Sequence, residues 1–444
     1  MVLLHRTPLH MDHGKITLVF YMAPRPCGGK CRFCILQPGF TKSTISNDDT
    51  LMARNCGWDP ECQIRKRFHQ YQLPNGRGYK YGLAVKGDSF TNHDPEYIRG
   101  YFKALYDYLS GSRSHDFADS RERQRDGSDR CAWVQVETRP DQITTESCEL
   151  MLEFGVNTVE LGVQSLDNDV LRLNRRGHGT GSVAQATALL RSYGFEVGYQ
   201  MMTGLPGSSD KLDYEVLAER LWEPRYCPDH VKIYPCILLK NHRLQRPLTR
   251  LLAAGLWDPL TDERYRALLL AVLPRIPPTV FINRIQRLIP PNEIDLGPKA
   301  VIDRREMSGV SQCLWQRSVA RTGVPADDYA HYAVSVAAHG ISYCVQATLR
   351  DGAVVLGYGR LSIIGDVALV RDLQVLGDMI PVGERSGGPQ HMGIGAAMLS
   401  AMDDIARARL CTILRVHPPV GASAYFTGLG FRSVTPHYLE RPVT

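Results

Sequence analysis

Three cysteines near the start of the chain have a spacing that suits a metal cluster. They follow the pattern C-x3-C-x2-C and are Cys27, Cys31 and Cys34. Gly28 and Gly29 lie in the same loop, and a short glycine-containing loop lets three thiolates converge on one iron–sulfur core without steric conflict. Three thiolates leave one iron of that core without a protein ligand. A zinc site is the alternative, and its fourth ligand would have to be His13 or Cys56.

A second motif lies near the other end of the chain, in the string Q-H-M-G-I-G-A at 390–396. Gly393 and Gly395 would let backbone N–H groups approach a pyrophosphate, and the start of the following helix would add positive potential. The motif therefore predicts a site for a diphosphate-containing cofactor, with a bare helix cap as the alternative. The residues assigned to this site are Gln390, His391, Gly393, Gly395 and Ala396.

Tyr425 begins the string Y-F-T-G-L-G-F at 425–431, after the glycine motif. The string resembles the tyrosine-bearing helix of the GNAT acetyltransferases. That resemblance makes Tyr425 a candidate catalytic group near a thioester sulfur, where a phenol can protonate a leaving thiolate. Packing in the core is the alternative role for this side chain.

Strand-like and helix-like segments alternate through the first two thirds of the chain. Six apolar, β-branched runs suit buried strands; they are 16–21, 81–85, 132–136, 158–163, 197–202 and 230–234. Alternation of strands and helices predicts parallel strands joined by right-handed crossovers, and hence an α/β fold with a partial (βα)6 barrel. The polar stretch 111–130 between two of these strands is expected to be a surface loop or lid.

Active sites of such barrels form at the carboxyl ends of the strands. Glu137 and Arg139 follow the third strand, Glu160 lies in the fourth, and Gln164 follows the fourth. These four residues are expected to bind a cofactor or orient a substrate, with ion pairing beneath the site as the alternative. Lys232, in the sixth strand, is a candidate for contact with phosphates.

Prolines at 274, 277, 278, 290 and 291 predict a break after the barrel. Beyond them, three strand-like runs at 342–349, 354–363 and 367–375 follow one another directly, which predicts an antiparallel sheet in an α+β domain. We therefore expect a barrel domain at 1–290, a linker at 291–320 and a second domain at 321–444.

The composition is that of an ordinary soluble protein. The chain has 444 residues, of which 43% are hydrophobic and 22% charged, and its net charge of +6 is compatible with polyanionic partners. Neither a signal peptide nor a membrane-spanning run is evident, so a cytoplasmic protein with reduced cysteines is expected. Cys56 and Cys62, with His69, are a weaker candidate for an additional metal site.

The two motifs together resemble known families. The cysteine spacing is that of the radical S-adenosylmethionine (SAM) enzymes, and Q-x-x-G-x-G/A after a sheet resembles the acetyl-CoA loop of the GNAT acetyltransferases. Their fusion in one chain resembles the family of the catalytic subunit of Elongator. The strings that carry this resemblance are E-T-R-P-D (137–141), E-L-G-V-Q-S (160–165), N-R-R-G-H (174–178), G-L-P-G (204–207), K-I-Y-P (232–235) and R-I-Q-R-L-I-P (284–290).

The resemblance implies a 4Fe-4S cluster on the three cysteines, SAM, acetyl-CoA and a reducing electron donor. It implies a radical acyltransferase that adds a carboxymethyl group to C5 of the wobble uridine of tRNA. Gly87 and Asp88 would lie in the family's glycine-rich turn beside the SAM amino group, although Lys86 replaces the first glycine of that turn. Glu137, Lys232 and Tyr425 would be the catalytic residues.

One departure from the family bears on the substrate. Members usually carry a lysine-rich extension before the cluster that grips tRNA, whereas here 26 residues precede Cys27 and contain a single lysine, Lys15. An RNA substrate needs several phosphate contacts. A free nucleoside or another small metabolite is therefore the alternative acceptor, and a conventional acetyltransferase with a structural barrel is a further alternative.

Overall fold

The computed structural model describes residues 14–25, 27–34, 48–87, 89–241, 245–285, 289–300, 306, 309–322, 326–384 and 387–444. Two seven-stranded sheets dominate this part of the chain. The first sheet is entirely parallel and has the order β1-β2-β3-β4-β5-β6-β8. Its strands are β1 (Ile16–Tyr21), β2 (Lys80–Lys86), β3 (Arg130–Thr138), β4 (Thr158–Gln164), β5 (Glu196–Thr203), β6 (His230–Pro235) and β8 (Phe281–Arg284).

The six predicted strands are confirmed, but the count of six is wrong because a seventh strand extends the half-barrel. Strand β8 has four residues and pairs with β6 through His230 and Phe281. It follows Pro277 and Pro278 closely. Because the apolar run is so short and lies in a proline-rich segment, the sequence did not indicate a strand there. A small sheet of β7 (Leu238–Leu239) and β9 (Ile294–Leu296) lies outside the barrel.

In the described part of the chain, ten helices connect the parallel strands and an eleventh follows the last of these strands. They are α1 (Asp48–Asn55), α2 (Pro60–Tyr71), α3 (Pro95–Ser110), α4 (Phe117–Asp126), α5 (Thr145–Glu153), α6 (Asn168–Leu173), α7 (Thr180–Ser192), α8 (Asp210–Ala218), α9 (Arg246–Ala253), α10 (Asp262–Val272) and α11 (Val319–Thr322). Among the described residues, none of the helices is long and apolar enough to cross a membrane.

Helix α4 lies within the stretch predicted to be a loop, and that prediction is wrong. The carboxylate of Asp116 caps the helix by accepting the N–H of Asp119. Only Phe117, Ser120 and Gln124 are buried. Because so few apolar residues contact the protein, the sequence lacks the apolar periodicity by which a helix is recognised.

The second sheet contains the predicted antiparallel strands. It is formed by β10 (Ala333–His339), β11 (Ser342–Leu349), β12 (Val354–Ile364), β13 (Val367–Val375), β14 (Ile413–Val416), β15 (Arg432–Ser433) and β16 (Leu439–Pro442), with α12 (Ile394–Ala408) and α13 (Ser423–Gly428). Strand β14 is parallel to β13 and pairs only with its first half, 367–370. Beyond Val370 the pairing ends, and this opening between the strands forms part of the cavity described below.

Buried ion pairs join the second sheet to the barrel. Arg371 donates two hydrogen bonds to the carboxylate of Asp229, at 2.6 and 3.1 Å, and Arg360 contacts Asp229 and Glu196 at 3.3 and 2.9 Å. All four side chains are at most 4% exposed. Burial alone would raise the pKa of Asp229, but Arg371 and Arg360 outweigh it and hold that pKa well below its usual range.

We expect Asp229→Ala to lower the free energy of unfolding by about 3 to 5 kcal/mol, because two buried guanidinium groups lose their partner. Denaturant unfolding followed by circular dichroism measures this difference. A carboxyl whose pKa is depressed stabilises the fold above its unfolded pKa of about 3.9, so the difference should diminish as the pH falls below that value. The exposed pair of Asp404 with Arg407 is the control, and Asp404→Ala should cost less than about 1 kcal/mol. Equal losses in the two variants would contradict this role for Asp229.

Candidate functional site

The loop that carries the three cysteines follows the carboxyl end of β1. The N–H of Cys34 bonds to the carbonyl of Cys31 at 3.2 Å, which makes a tight turn. A Cβ atom on Gly29 would lie 2.6 Å from Arg139 Nη1 and 3.2 Å from the sulfur of Cys27, so a larger residue would not fit there. The loop is also attached to two other segments of the barrel, since Arg32 N bonds to Asn174 O at 3.0 Å and Gln245 Nε2 bonds to Phe33 O at 3.4 Å.

Two buried guanidinium groups lie beside these thiols. Arg176 Nη1 donates to the sulfur of Cys31 at 3.4 Å. Arg139 is held by Asp141 through two hydrogen bonds of 2.8 and 2.9 Å, while its Nη1 atom is buried without a hydrogen-bond partner among the described residues. Positive charge next to a cysteine favours its thiolate, the form that binds metals. The arrangement therefore suits an anionic, thiolate-bound group.

Three thiolates without a fourth ligand fit an iron–sulfur cluster better than a zinc ion. No three His, Cys, Asp or Glu side chains within the described ranges lie close enough together to hold a single metal ion. A cluster is larger than one ion and spaces its cysteine sulfur atoms further apart. His13, the proposed fourth zinc ligand, lies outside the described residues.

Four charged side chains fill the barrel interior below the cysteine loop: Lys86, Glu137, Glu160 and Lys232. Lys86 bonds closely to Glu137, and Lys232 bonds closely to Glu160. The two diagonal distances, from Lys86 to Glu160 and from Lys232 to Glu137, are both 3.6 Å. Inward-facing residues of four different strands thus form one buried cluster. Glu137 and Glu160 were predicted either to act on a cofactor or substrate or to form ion pairs, and the structure shows the ion pairs at the end of the barrel where a site was expected.

The two lysines of this cluster have opposite pKa shifts. For Lys86, burial lowers the pKa, but Glu137 and Glu160 outweigh it and hold the pKa above its usual range. For Lys232, burial and the charge of Lys86 outweigh Glu160 and lower the pKa to about 8. The two carboxylates thus hold the proton of Lys86 more firmly than that of Lys232.

Other predicted residues lie at the same end of the barrel. Gly87 has a φ of +157°, and a Cβ atom there would lie 3.0 Å from Met22 Cβ. Gln164 ends β4 with a φ of +74°, and its amide lies near Gly162. Asp88 lies outside the described residues. His93, which the sequence did not indicate, lies beside Gly87, and burial lowers its pKa to about 4.

The glycine motif and Tyr425 meet at a cavity of about 460 Å³ in the second domain. All the motif residues assigned to the cofactor line it: Gln390, His391, Gly393, Gly395 and Ala396. Gly393 has a φ of +82° and precedes α12 without a side-chain cap, so the first N–H groups of this helix remain available to an anion. A Cβ atom on Gly395 would lie 2.6 Å from the Tyr425 hydroxyl, which places the phenol against the loop.

The barrel also contributes side chains to this cavity. Lys15 Nζ bonds to Gln374 and Lys80 Nζ bonds to Gln390, both at 2.6 Å, and both lysines line the cavity. Burial and the neighbouring Lys15 lower the pKa of Lys80 to about 8. Sequence reasoning missed both lysines, because nothing in the chain shows that the starts of β1 and β2 face the second sheet.

The two groups of predicted residues lie at opposite ends of the barrel strands. The cavity is lined by residues at or before the starts of strands, including Lys15, Lys80 and Arg130. Glu137 lies near the carboxyl end of β3, and the cysteine loop follows β1. A strand of six residues spans about 20 Å. The structure therefore does not bring Tyr425 together with Glu137 and Lys232.

Cys56 and Cys62 form a disulfide bond. The prediction of an additional metal site with His69 is therefore wrong, since both thiols are consumed. The expectation that the cysteines are reduced is also wrong for this pair. The helix start explains the contact, because Asp59 caps α2 by accepting the N–H of Cys62 and so turns Cys62 back towards the end of α1.

Five basic residues belong to the cysteine loop or are next in sequence to residues of the hydrogen-bonded network that holds it. They are Lys30, Arg32, Arg175, Lys240 and Arg246, and none forms an ion pair with another residue in the described part of the chain. Lys30 and Arg32 belong to the loop, while Arg175 and Arg246 directly follow Asn174 and Gln245, the residues hydrogen-bonded to it. We call these five residues the basic rim. A rim without acidic partners is suited to a polyanion.

Comparisons with known proteins agree with this architecture. A family model described as the radical SAM superfamily matches residues 24–217, and one for the radical SAM C-terminal domain matches 228–316. A tRNA uridine(34) acetyltransferase of Dehalococcoides mccartyi is 30% identical over 93% of this chain and 94% of its own length. Elongator complex protein 3 of Homo sapiens is 26% identical over 98% of this chain and 85% of its own length.

A solved structure shares the fold. The archaeal Methanocaldococcus infernus Elp3 with an N-terminal deletion superposes with a TM-score of 0.79, at 24% identity, over 97% of this chain and all of that chain. The match in sequence extends along nearly the whole chain and includes the cysteine loop and the cavity. The chain therefore belongs to the radical SAM family that contains the tRNA uridine(34) acetyltransferases and Elongator complex protein 3.

Proposed function

We propose that this chain uses acetyl-CoA in a radical reaction that adds a carboxymethyl-type group to C5 of a uridine, with the wobble uridine of tRNA as the acceptor. The observation that carries the proposal is the presence of two separate sites in one chain, a thiolate loop beside Arg139 and Arg176 and a cavity with an uncapped helix start at Gly393. The names of the relatives support tRNA as the substrate.

The residues have distinct roles in this proposal. Cys27, Cys31 and Cys34 hold a 4Fe-4S cluster, which together with SAM supplies a carbon radical when bound. Gly87, Arg139, Glu160 and Gln164 bind SAM or orient the substrate, and Asp88 is assigned to the same site. Glu137 and Lys232 lie together in the buried charged cluster of the barrel. The pKa of Lys232 is lowered to about 8, which suits this lysine to exchange a proton with a group that enters the barrel.

The second domain holds acetyl-CoA in the manner of a GNAT acetyltransferase. Its pyrophosphate would accept hydrogen bonds from the backbone at 391–396, and Lys80 would contribute positive charge. Tyr425 protonates the leaving thiolate. Burial raises the pKa of Tyr425, so the phenol keeps its proton at neutral pH. We retain 1–290, 291–320 and 321–444 as the barrel domain, linker and GNAT domain.

The basic rim favours tRNA over a small acceptor. Its five residues belong to the cysteine loop or adjoin the segments that hold it, and phosphates of a folded RNA bound there could reach several of them at once. A free nucleoside has no phosphates and would gain nothing from the rim. The segment before Cys27 contains a single lysine. The basic rim would therefore supply the phosphate contacts that an RNA substrate needs.

Anaerobically reconstituted protein with SAM, acetyl-CoA, dithionite and either tRNA or free uridine tests the proposal. We expect 5'-deoxyadenosine and a C5-modified uridine in tRNA, both detected by mass spectrometry, only when tRNA is present. The double variant Arg175→Glu and Arg246→Glu should weaken tRNA binding, whereas Arg407→Glu, on the exposed surface of α12, should not.

Two outcomes would favour the alternatives. Modification of a small acceptor that is insensitive to the rim variant would favour a nucleoside or metabolite substrate. Acetyl transfer that survives Cys31→Ala would favour a conventional acetyltransferase with a structural barrel.

A further inference from the structure

The carboxyl group of Asp372 occupies an unusual position in the cavity. Asp372 lies on β13 opposite Arg360, next to the bulge at which Arg371 has no partner on β12. Its Oδ1 atom accepts the N–H of Leu373 at 2.8 Å, which holds the side chain in place. Its Oδ2 atom is buried and forms no hydrogen bond of normal geometry among the described residues, although Glu196 and Tyr358 lie close enough to interact with the carboxyl. One carboxylate oxygen is thus held by the backbone, and the residue lines the cavity.

Charged groups from three elements surround this carboxyl. Glu196 faces it from β5, Lys15 from the start of β1 and Arg360 from β12, while Tyr358 lies beside it. Burial, followed by the negative charge of Glu196, raises the pKa of Asp372 to about 7, although Lys15 and Arg360 oppose the shift. A carboxylate with such a pKa is a much stronger base than an exposed aspartate, whose pKa is about 3.9.

Other basic groups of the cavity are less suited to take a proton. Asp372 is the only carboxylate among the described residues that line it. His417 also lines the cavity, but both ring nitrogens are engaged, Nδ1 with His437 O at 2.8 Å and Nε2 with Val156 O at 2.9 Å. Burial lowers the pKa of His417 to about 4. Lys80 and Lys15 are already bonded to glutamine oxygens.

We propose that Asp372 is the general base that activates water for cleavage of the thioester held in this cavity. The inference rests on the proposed use of acetyl-CoA. Asp372 takes a proton from water as the water oxygen bonds to the acyl carbon. The C–S bond then breaks, and the leaving thiolate takes a proton from Tyr425. The products are a carboxylic acid and the CoA thiol, and Asp372 returns its proton through solvent to Tyr425. No electrons are exchanged, and water is the only co-reactant.

This assignment gives the opening beyond Val370 a function. The pairing between β13 and β14 ends at Val370. The residues of β13 that follow, from Arg371 onward, line the cavity together with Tyr425. A thioester lying along this opening would have the carboxyl of Asp372 on the barrel side. Hydrolysis is the step that would release the acid from CoA.

The variant Asp372→Asn tests the proposal, because asparagine keeps the size and the Oδ1 hydrogen bond but cannot accept the proton. With full-length reconstituted protein, acetyl-CoA and tRNA, CoA thiol release measured with a thiol reagent should fall at least about 100-fold. The wild-type rate should rise with pH through about 7, where Asp372 loses its proton, and this rise should disappear in the variant. Asp372→Glu should restore part of the rate.

Controls separate chemistry from folding and from the proposed function. Acetyl-CoA affinity by calorimetry and formation of 5'-deoxyadenosine should stay within about twofold of wild type in Asp372→Asn. Asp378→Asn, an exposed aspartate on the turn after β13, should release thiol at the wild-type rate. Unchanged thiol release or an unchanged pH profile in Asp372→Asn would overturn the assignment, as would an equal loss of acetyl-CoA affinity.

The two proposals can fail separately. Wild-type protein that releases CoA thiol with the expected pH profile but forms no 5'-deoxyadenosine would contradict the radical function and leave the role of Asp372 supported. Wild-type protein that binds no acetyl-CoA would overturn both.

Discussion

Replacing Cys34 by alanine should remove the bound iron and abolish the cleavage of SAM, while leaving acetyl-CoA binding intact. The variant loop keeps only two thiolates, those of Cys27 and Cys31. An iron–sulfur core with one open iron needs three protein thiolates. Iron content, visible absorbance and 5'-deoxyadenosine formation measure the loss. Acetyl-CoA affinity should stay within about twofold of wild type, because the cavity lies at the opposite ends of the strands.

Cys148 provides the matched control for this variant. It is a buried thiol of α5 in the same barrel, and burial raises its pKa to about 12, so it stays protonated and is a poor metal ligand. Cys148→Ala should retain iron and SAM cleavage. Iron retention by Cys34→Ala, or an equal iron loss in both variants, would show that the three-cysteine loop does not bind the cluster.

Replacing Gly393 by aspartate should weaken acetyl-CoA binding about 100-fold, or about 2.7 kcal/mol, and leave iron content and SAM cleavage unchanged. A carboxylate at this position would occupy the uncapped start of α12 and repel the pyrophosphate that is expected there. No atom lies within 4 Å of a Cβ built on Gly393, so the effect does not depend on crowding within the protein. Isothermal titration with acetyl-CoA measures the change.

Gly393→Asn separates charge from backbone strain. Asparagine has nearly the same size as aspartate and tolerates the left-handed conformation that the φ of +82° requires, but it carries no charge. Its effect should be much smaller than that of aspartate. Equal losses in both variants would indicate that the backbone of the loop, rather than a phosphate at the helix start, determines the affinity.

The effects of Cys34→Ala and Gly393→Asp should be independent because the barrel strands separate the two sites. Strand β3 carries Arg130 at the cavity end and Glu137 at the cysteine end, with a buried interior between them. A change in one site therefore leaves the packing of the other site unaltered. The buried pairs of Arg371 and Arg360 with Asp229 join the second sheet to the barrel at a place separate from both sites.

Local sequence determined the two binding motifs and most of the strands. Cysteine spacing and glycine positions are properties of a few consecutive residues, and continuous β-branched runs mark buried parallel strands whatever they pack against. The seventh strand β8 and helix α4 were missed for the complementary reason. Each depends on a partner distant in the chain, β6 for β8 and the packing of Phe117 for α4, and neither has a strong periodicity of its own.

Only the tertiary structure decided which chemical groups meet. Lys86, Glu137, Glu160 and Lys232 lie on four strands, and their mutual contacts, with the low pKa of Lys232, follow from closure of the sheet. Asp372 likewise acquires its raised pKa from burial and then from Glu196, which is far away in the chain. Charge interactions depend on distance and on exclusion of water, and both are set by packing. The residue types and their spacing are written in the chain, whereas their partners and proton affinities arise only when the two sheets come together.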